Sequence, residues 1–310
     1  MTIEERLDQG EALVLDGAMG TELERRGVPM HHVAWSATAV LTHPEVVRSV
    51  HQDYLRAGAE ILITNTFATS RRVLEPAGLG DKVQWLNHRA VALAREACDR
   101  AAGERPVWIA GSISSFVAGA DVRQTPPPHE AKASYCEQCE LLAEAGVDLL
   151  VLEMLRDTEQ SVIAIEAAEK TGLLVWAGFT CKLAEDGTTV VLRGRDVETP
   201  FAEALEPVLA AGGSVVAVMH TDMDVVESAL RIVFDRWSGP VAAYPHSGDF
   251  VMPKWRFVDI ISPDDFAAAA QGWIQMGVQV VGGCCGIGPE HIERLSARLP
   301  KQSSTDQSPS

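Results

Sequence analysis

Along the chain, short apolar runs alternate with longer stretches in which apolar residues recur every three or four positions. The runs have the length and β-rich content of buried strands, and the recurrences have the period of amphipathic helices. The first run covers 11–18 and carries Asp16-Gly17 at its exit. Six more cover 60–67, 106–113, 147–154, 173–181, 213–220 and 240–248. The eighth is the stretch Val280-Val281-Gly282-Gly283-Cys284-Cys285-Gly286. Between and after these runs the pattern predicts helices over 44–57, 82–102, 129–145, 158–170, 199–211, 224–236, 262–276 and 289–299. In the first of them Val46, Val47, Val50, Tyr54 and Leu55 fall at helical spacing, and Gly58 stands where a left-handed cap is expected. Ser262 ahead of Pro263-Asp264-Asp265 is a good helix start.

Eight strands alternating with helices predict an α/β fold, a (β/α)8 TIM barrel. We expect a single barrel domain over 1–300 and a disordered polar tail over 301–310. A doubly wound open sheet would carry a glycine-rich phosphate loop after its first strand, and Asp16-Gly17-Ala18-Met19-Gly20 matches that poorly. The irregular segment 114–128, with its Pro126-Pro127-Pro128 triplet, reads as a functional lid.

Composition narrows the partners. The 310 residues are 46% hydrophobic and 22% charged, which is ordinary for a globular chain. A net charge of -17 argues against nucleic acid, which would call for a basic footprint. The polar start Met1-Thr2-Ile3-Glu4-Glu5-Arg6 lacks a signal-peptide pattern, and no apolar run reaches transmembrane length. The expectation is therefore a cytoplasmic protein with no membrane partner. In such a reducing setting the six cysteines point to metal or catalytic roles before disulfides. Cys136 and Cys139 sit at helical spacing with no second ligand pair nearby, and read as packing residues.

Barrel active sites gather at the C-terminal ends of the strands. Asp16, Asn65, Ser112, Glu153, Cys181, His220, His246, Cys284 and Cys285 all fall at predicted strand ends. Adjacent cysteines cannot easily bridge each other without strain. Two thiolates delivered together could hold Zn²⁺. They could also be small buried residues, since free cysteine is among the most buried types. Asp16 could meet a ligand or serve as a turn aspartate.

Several motifs together resemble the homocysteine S-methyltransferase family of zinc-dependent barrels. They are Asp16-Gly17-Ala18-Met19-Gly20-Thr21-Glu22-Leu23, His51-x-x-Tyr54-x-x-Ala57-Gly58-Ala59, Thr64-Asn65-Thr66-Phe67 and Ala110-Gly111-Ser112-Ile113. Leu152-Glu153-Met154 with Glu159, Tyr244-Pro245-x-Ser247-Gly248 and Gly282-Gly283-Cys284-Cys285-Gly286 complete the set. The resemblance implies zinc held by three cysteines, two of which match Cys284 and Cys285. The third belongs to an Asn-Cys pair that is Met219-His220 here, and the asparagine of the Tyr-Pro-Asn-Ser-Gly element is His246. The expected metal set is therefore His220, Cys284 and Cys285, with His246 as the fallback ligand. The other reading is that zinc binds weakly or not at all and His220 does something else.

The same resemblance gives Asp16 and Glu153, with Gly17 and Thr66 nearby, as contacts to an amino-acid ammonium. Asn65, Ser112 and His246 join them as expected substrate-binding residues on the rim. Trp35 matches a tryptophan that contacts the donor in the betaine-using branch, or it covers the core. The implied activity is transfer of a methyl group from a small sulfonium or ammonium donor to a thiol. Homocysteine is the default acceptor and methionine the product. S-Methylmethionine or S-adenosylmethionine is the favoured donor, since the chain has no room for folate or cobalamin domains and no long C-terminal arm. Three questions stay open: another thiol or methylated compound as substrate, a homo-oligomer or a corrinoid protein as partner, and a non-catalytic ligand-binding barrel.

Overall fold

The structure, a computed structural model, describes residues 1–115, 126–194, 198–251 and 256–299. Its central strands are β1 (Leu13–Val14), β2 (Ile61–Ile63), β3 (Trp108–Ser114), β4 (Leu149–Leu155), β5 (Leu174–Phe179), β6 (Val215–Asp222), β7 (Val241–His246) and β8 (Val280–Val281). They pair in parallel in the order β1-β8-β7-β6-β5-β4-β3-β2. A parallel bridge between Leu15 and Ile61 joins β1 to β2 and closes the ring. Its hydrogen bonds run from Asp16 N to Ile61 O at 3.0 Å and from Glu60 N to Val14 O at 2.8 Å. The expected (β/α)8 barrel is therefore observed.

Why these runs are apolar throughout follows from the closure. Side chains on a strand alternate between faces, and in a barrel both faces are buried. Leu13, Leu149, Val151, Trp176, Val215, Ala217, Ala242 and Val280 fill the interior. Their neighbours Val14, Leu150, Leu152, Val175, Ala177, Val216, Ala243 and Val281 face the helical layer. The same parity carries Ser112 and Glu153 to the upper end of the barrel interior.

Two strand ends break the parity. The β4–β5 register shifts between Leu152 and Leu155, and Met154 takes a left-handed φ of 59°. The β6–β7 register shifts between Met219 and Asp222, and His220 takes a φ of 43°. Irregularities of this kind re-aim side chains at barrel rims.

The helix at Pro44–Ala57 ends at Gly58, whose φ is 105°. Ser262 caps the helix Pro263–Met276 by accepting a hydrogen bond from Asp265 N. Other expectations need correction. The first strand is far shorter than 11–18, because the chain leaves the sheet at Asp16 to form the rim. The run 173–181 is not one strand: it divides at Thr180, and Cys181–Leu183 pairs with Val190–Leu192 as a hairpin. A second hairpin joins Asp249–Val251 to Arg256–Val258. An unforeseen helix, Ile3–Asp8, starts with a Thr2/Glu5 capping box and places Ile3 and Leu7 in the inner cluster. Most of the expected lid (116–125) and the tail (300–310) lie outside the described residues. Among the described residues no helix is long and apolar enough to cross a membrane.

Tyr54 ties the outer layer to the rim. Its hydroxyl is 2.9 Å from Ala18 O and 3.2 Å from Ile287 O, so one buried donor faces the carbonyls of two rim loops. Removing it strands buried acceptors, which costs about 1–3 kcal/mol. Tyr54→Phe is expected to lower unfolding stability by that amount in urea titrations, with no change in the denaturant slope.

Candidate active site

A cavity of about 160 Å³ opens at the C-terminal end of the barrel. Gly17, Trp35, Asn65, Ser112, Glu153, His220, Cys284 and Cys285 are on its wall. These expected residues come from seven separate rim segments, which only the closed ring brings together. Asp16, Thr66 and His246 are not on the wall. Asp16 is 2% exposed and accepts a hydrogen bond from Ile63 N at 2.9 Å. Thr66 is fully buried and donates to Ser112 O at 2.7 Å. Cys181 is buried in its hairpin and its N–H donates to Thr221 Oγ1, so it too stays off the cavity.

The double-cysteine turn is fixed by β1's exit loop. Gly283 N donates to Asp16 O, Ala18 N donates to Ile287 O, and Gly286 N donates to Thr21 Oγ1. Gly17 must be bare, because a methyl group there would collide with Ile287 O. At the end of this turn Cys284 Sγ is 3.9 Å from Cys285 Sγ and 3.4 Å from His220 Nδ1. All three donor atoms lie within 4.8 Å of one another. A tetrahedral zinc with bonds of about 2.3 Å to sulfur and about 2.0 Å to nitrogen puts two sulfurs about 3.8 Å apart. On the same bond lengths sulfur and nitrogen stand about 3.5 Å apart. The donor set fits such an ion, and Nδ1 is the ring nitrogen turned toward Cys284.

Cys284 is held neutral by its hydrogen bond to Cys285 and by burial, which together push its thiol well above the usual range. Glu153 lies across the cavity. Burial pushes its carboxyl up to about 7, against the opposing effect of the hydrogen bond from Ser112 Oγ. The buried Tyr244 hydroxyl influences Glu153 but forms no hydrogen bond of normal geometry among the described residues. Gly178 makes room for that hydroxyl, since a Cβ there would lie 2.8 Å from it.

The opposite wall is an aromatic loop. Trp35 pairs its backbone with His31 in both directions and takes a φ of 42°. Asn65 clamps the next residue, accepting from Ser36 Oγ at 2.9 Å and donating to Ser36 O at 3.0 Å. The indole packs on Gly20, where a methyl group would strike its ring, and meets Phe67 edge-on at 5.8 Å between centroids. Met19, Met154, Met219, Ile63, Phe67 and Tyr244 complete an apolar lining; all but Ile63 stand in the quoted motifs, yet none was expected to line the site. Strand parity could have found Met219 and Tyr244, whereas Met154 needed the register shift.

Comparisons with known proteins agree with this geometry. The model of the homocysteine S-methyltransferase family matches residues 13–299. A homocysteine S-methyltransferase of Escherichia coli is 31% identical over 310 residues, covering 94% of this chain and 96% of its own. A selenocysteine methyltransferase of Astragalus bisulcatus is 28% identical, covering 92% of each chain. The crystal structure of the homocysteine methyltransferase MmuM from E. coli, in metallated form, superposes with a TM-score of 0.79 at 26% identity. That superposition covers 96% of this chain and 99% of MmuM.

The raised Glu153 pKa sets a pH dependence. Its folded value of about 7 exceeds the ordinary 4.5, so folding favours the protonated form. That contribution is full below about pH 4.5 and is lost as pH rises through 7. In metal-free protein Glu153→Gln is therefore expected to be more stable than wild type at pH 8, with the gap narrowing toward pH 5. Urea titrations across that range measure it, and a gap that widens toward low pH would contradict the assignment.

Proposed function

This chain belongs to the homocysteine S-methyltransferase family and is a methyltransferase, and from that premise we propose that it methylates a small thiol through a zinc site of His220, Cys284 and Cys285. The observation that carries the reading is the convergence of these three donors within 4.8 Å of one another beside a cavity. Family membership sets aside the reading as a non-catalytic barrel.

Zinc bound there would supply the Lewis acidity that lowers the pKa of an acceptor thiol at the open fourth position, so that its proton is released to solvent. The residues do the rest. Glu153 and Ser112 offer a buried carboxylate and hydroxyl to the ammonium of an amino-acid acceptor such as homocysteine. An ammonium beside Glu153 favours its ionised form, so acceptor binding and Glu153 deprotonation support each other. Trp35 and Phe67 present ring faces and edges where a donor cation could lodge, and ring faces attract cations. The apolar methionine-lined walls keep water from the transferred methyl group.

His220 also bears on the donor. Imidazole in place of a thiolate makes the metal site one unit more positive, which holds the acceptor's thiolate more firmly and makes it a weaker nucleophile. A sulfonium donor, with its neutral thioether leaving group, compensates. S-Methylmethionine and S-adenosylmethionine are accordingly the proposed donors, with homocysteine as acceptor and methionine as product. A second reading is a selenol acceptor, whose selenolate is the stronger nucleophile and offsets the weakening by the more positive site; the A. bisulcatus relative is named for selenocysteine.

Purified wild-type protein is expected to carry about one zinc per chain by elemental analysis, held by three protein ligands with a fourth position open. His220→Ala should lose most of that zinc, and unchanged zinc would overturn the ligand assignment. A mass-spectrometric screen of homocysteine and selenocysteine against both sulfonium donors and betaine tests the reaction. Turnover with betaine alone would overturn the donor assignment. Trp35→Leu is expected to raise KM for the sulfonium about 2- to 30-fold with a smaller change in kcat, the range of a lost cation–π contact.

A further inference from the structure

The two positions at which the chain departs from its family pattern, 220 and 246, are neighbours in space. The His220 and His246 rings lie 4.5 Å apart between centroids, with their planes tilted by 34°. His246 Nε2 is 2.9 Å from Asp222 Oδ1, and Asp222 is also paired with Arg193. The Asp222 carboxylate is held between Arg193 on one side and His246 on the other. A continuous series thus runs from Arg193 through Asp222 and His246 to the ring of His220, whose Nδ1 faces Cys284 at 3.4 Å.

His246 is 8% exposed and does not reach the cavity wall. It touches no substrate position, so its ring must act through what it packs against. His220 needs such support. Its φ of 43° is a left-handed conformation that a non-glycine residue keeps only where the surroundings over-determine it. An imidazole also has a ring that can swing, whereas a cysteine at the same place would present its sulfur on a single short bond. An asparagine at 246 would leave the His220 ring with less to lean on. It would also replace the anchored imidazole with an amide.

We infer that His246, anchored by Asp222, is a positioning residue for His220, and that the two histidines form one functional unit that replaces the family's cysteine and asparagine together. The inference rests on the reading of His220 as a metal ligand. Outer partners that orient a ligating imidazole typically contribute 10- to 100-fold in metal affinity. A partner of this kind should matter only while the ligand is an imidazole.

The test is a double-mutant cycle on the full chain, with zinc affinity read by chelator competition. In the His220 protein, His246→Asn is expected to weaken zinc binding about 10- to 100-fold. In the His220→Cys background the same change should cost no more than about twofold, the limit of additivity for uncoupled sites. Equal losses in the two backgrounds, or no loss in either, would overturn the pairing. Asp222→Asn keeps the side chain's size and is expected to weaken zinc in the His220 protein by roughly tenfold. Unchanged affinity there would overturn the anchoring step. Visible spectra of the cobalt(II)-loaded proteins give a second readout, since ligand-field bands should move with His246→Asn only when His220 is present. A purely structural role would instead lower thermal stability alike in both backgrounds and leave the bands in place. Wild-type zinc that survives His220→Ala would overturn the ligand assignment itself and the pairing with it, an outcome distinct from equal losses.

Discussion

The structure depends on the seam where the chain's first and last strands meet. Gly283 N to Asp16 O and Ala18 N to Ile287 O stitch the double-cysteine turn to the exit loop of β1, and Tyr54 braces both from the helical layer. The strand held here, β1, also bridges β2 to close the barrel, and the seam itself aims the two thiols. Residues some 270 positions apart in sequence must be in register before either task is done. Gly17, Gly282 and Gly283 are bare at this seam because methyl groups there would meet Ile287 or the β1 backbone. The closing of the fold and the making of the site are one event.

Much of this was legible in the sequence for a physical reason. A strand buried on both faces must be apolar at every position, so the barrel strands stand out as unbroken runs. Helices announced themselves through period and caps, as at Gly58 and Ser262. The rim residues Ser112, Glu153, Cys284 and Cys285 were found because polar groups ended apolar runs. What escaped was whatever local patterning cannot encode. The helix Ile3–Asp8 is too short for its period to register, although Thr2 and Glu5 carried its capping signal. The hairpin at Cys181 looked like a continuation of β5 because both are apolar. Asp16 and Thr66 lie just beyond their strands, and their side chains bond to Ile63 N and Ser112 O, whereas Ser112 lies within β3.

The two left-handed strand ends deserve comparison. By parity His220 would follow Val216 and Val218 toward the helices. The register shift beyond Met219 instead turns it to the mouth, beside the cysteines. Met154 is turned in the same way one strand pair away and joins the apolar wall. The scaffold thus spends local strain at two points to obtain two inward residues that a regular strand would have hidden. Asp222 and Arg193, which sequence reading passed over, support one of them. Asp222 lies only two positions beyond His220, and a strand-end carboxylate so close to a candidate ligand was the available signal.

The thiol pair has a consequence for how the site fills. Cys284 donates its proton toward Cys285 and lies buried, so it does not ionise spontaneously in neutral solution. A thiol becomes a ligand only by surrendering that proton. On the proposed metal reading, loading would exchange protons for an ion, so a falling pH and a chelator would act on the site in the same direction.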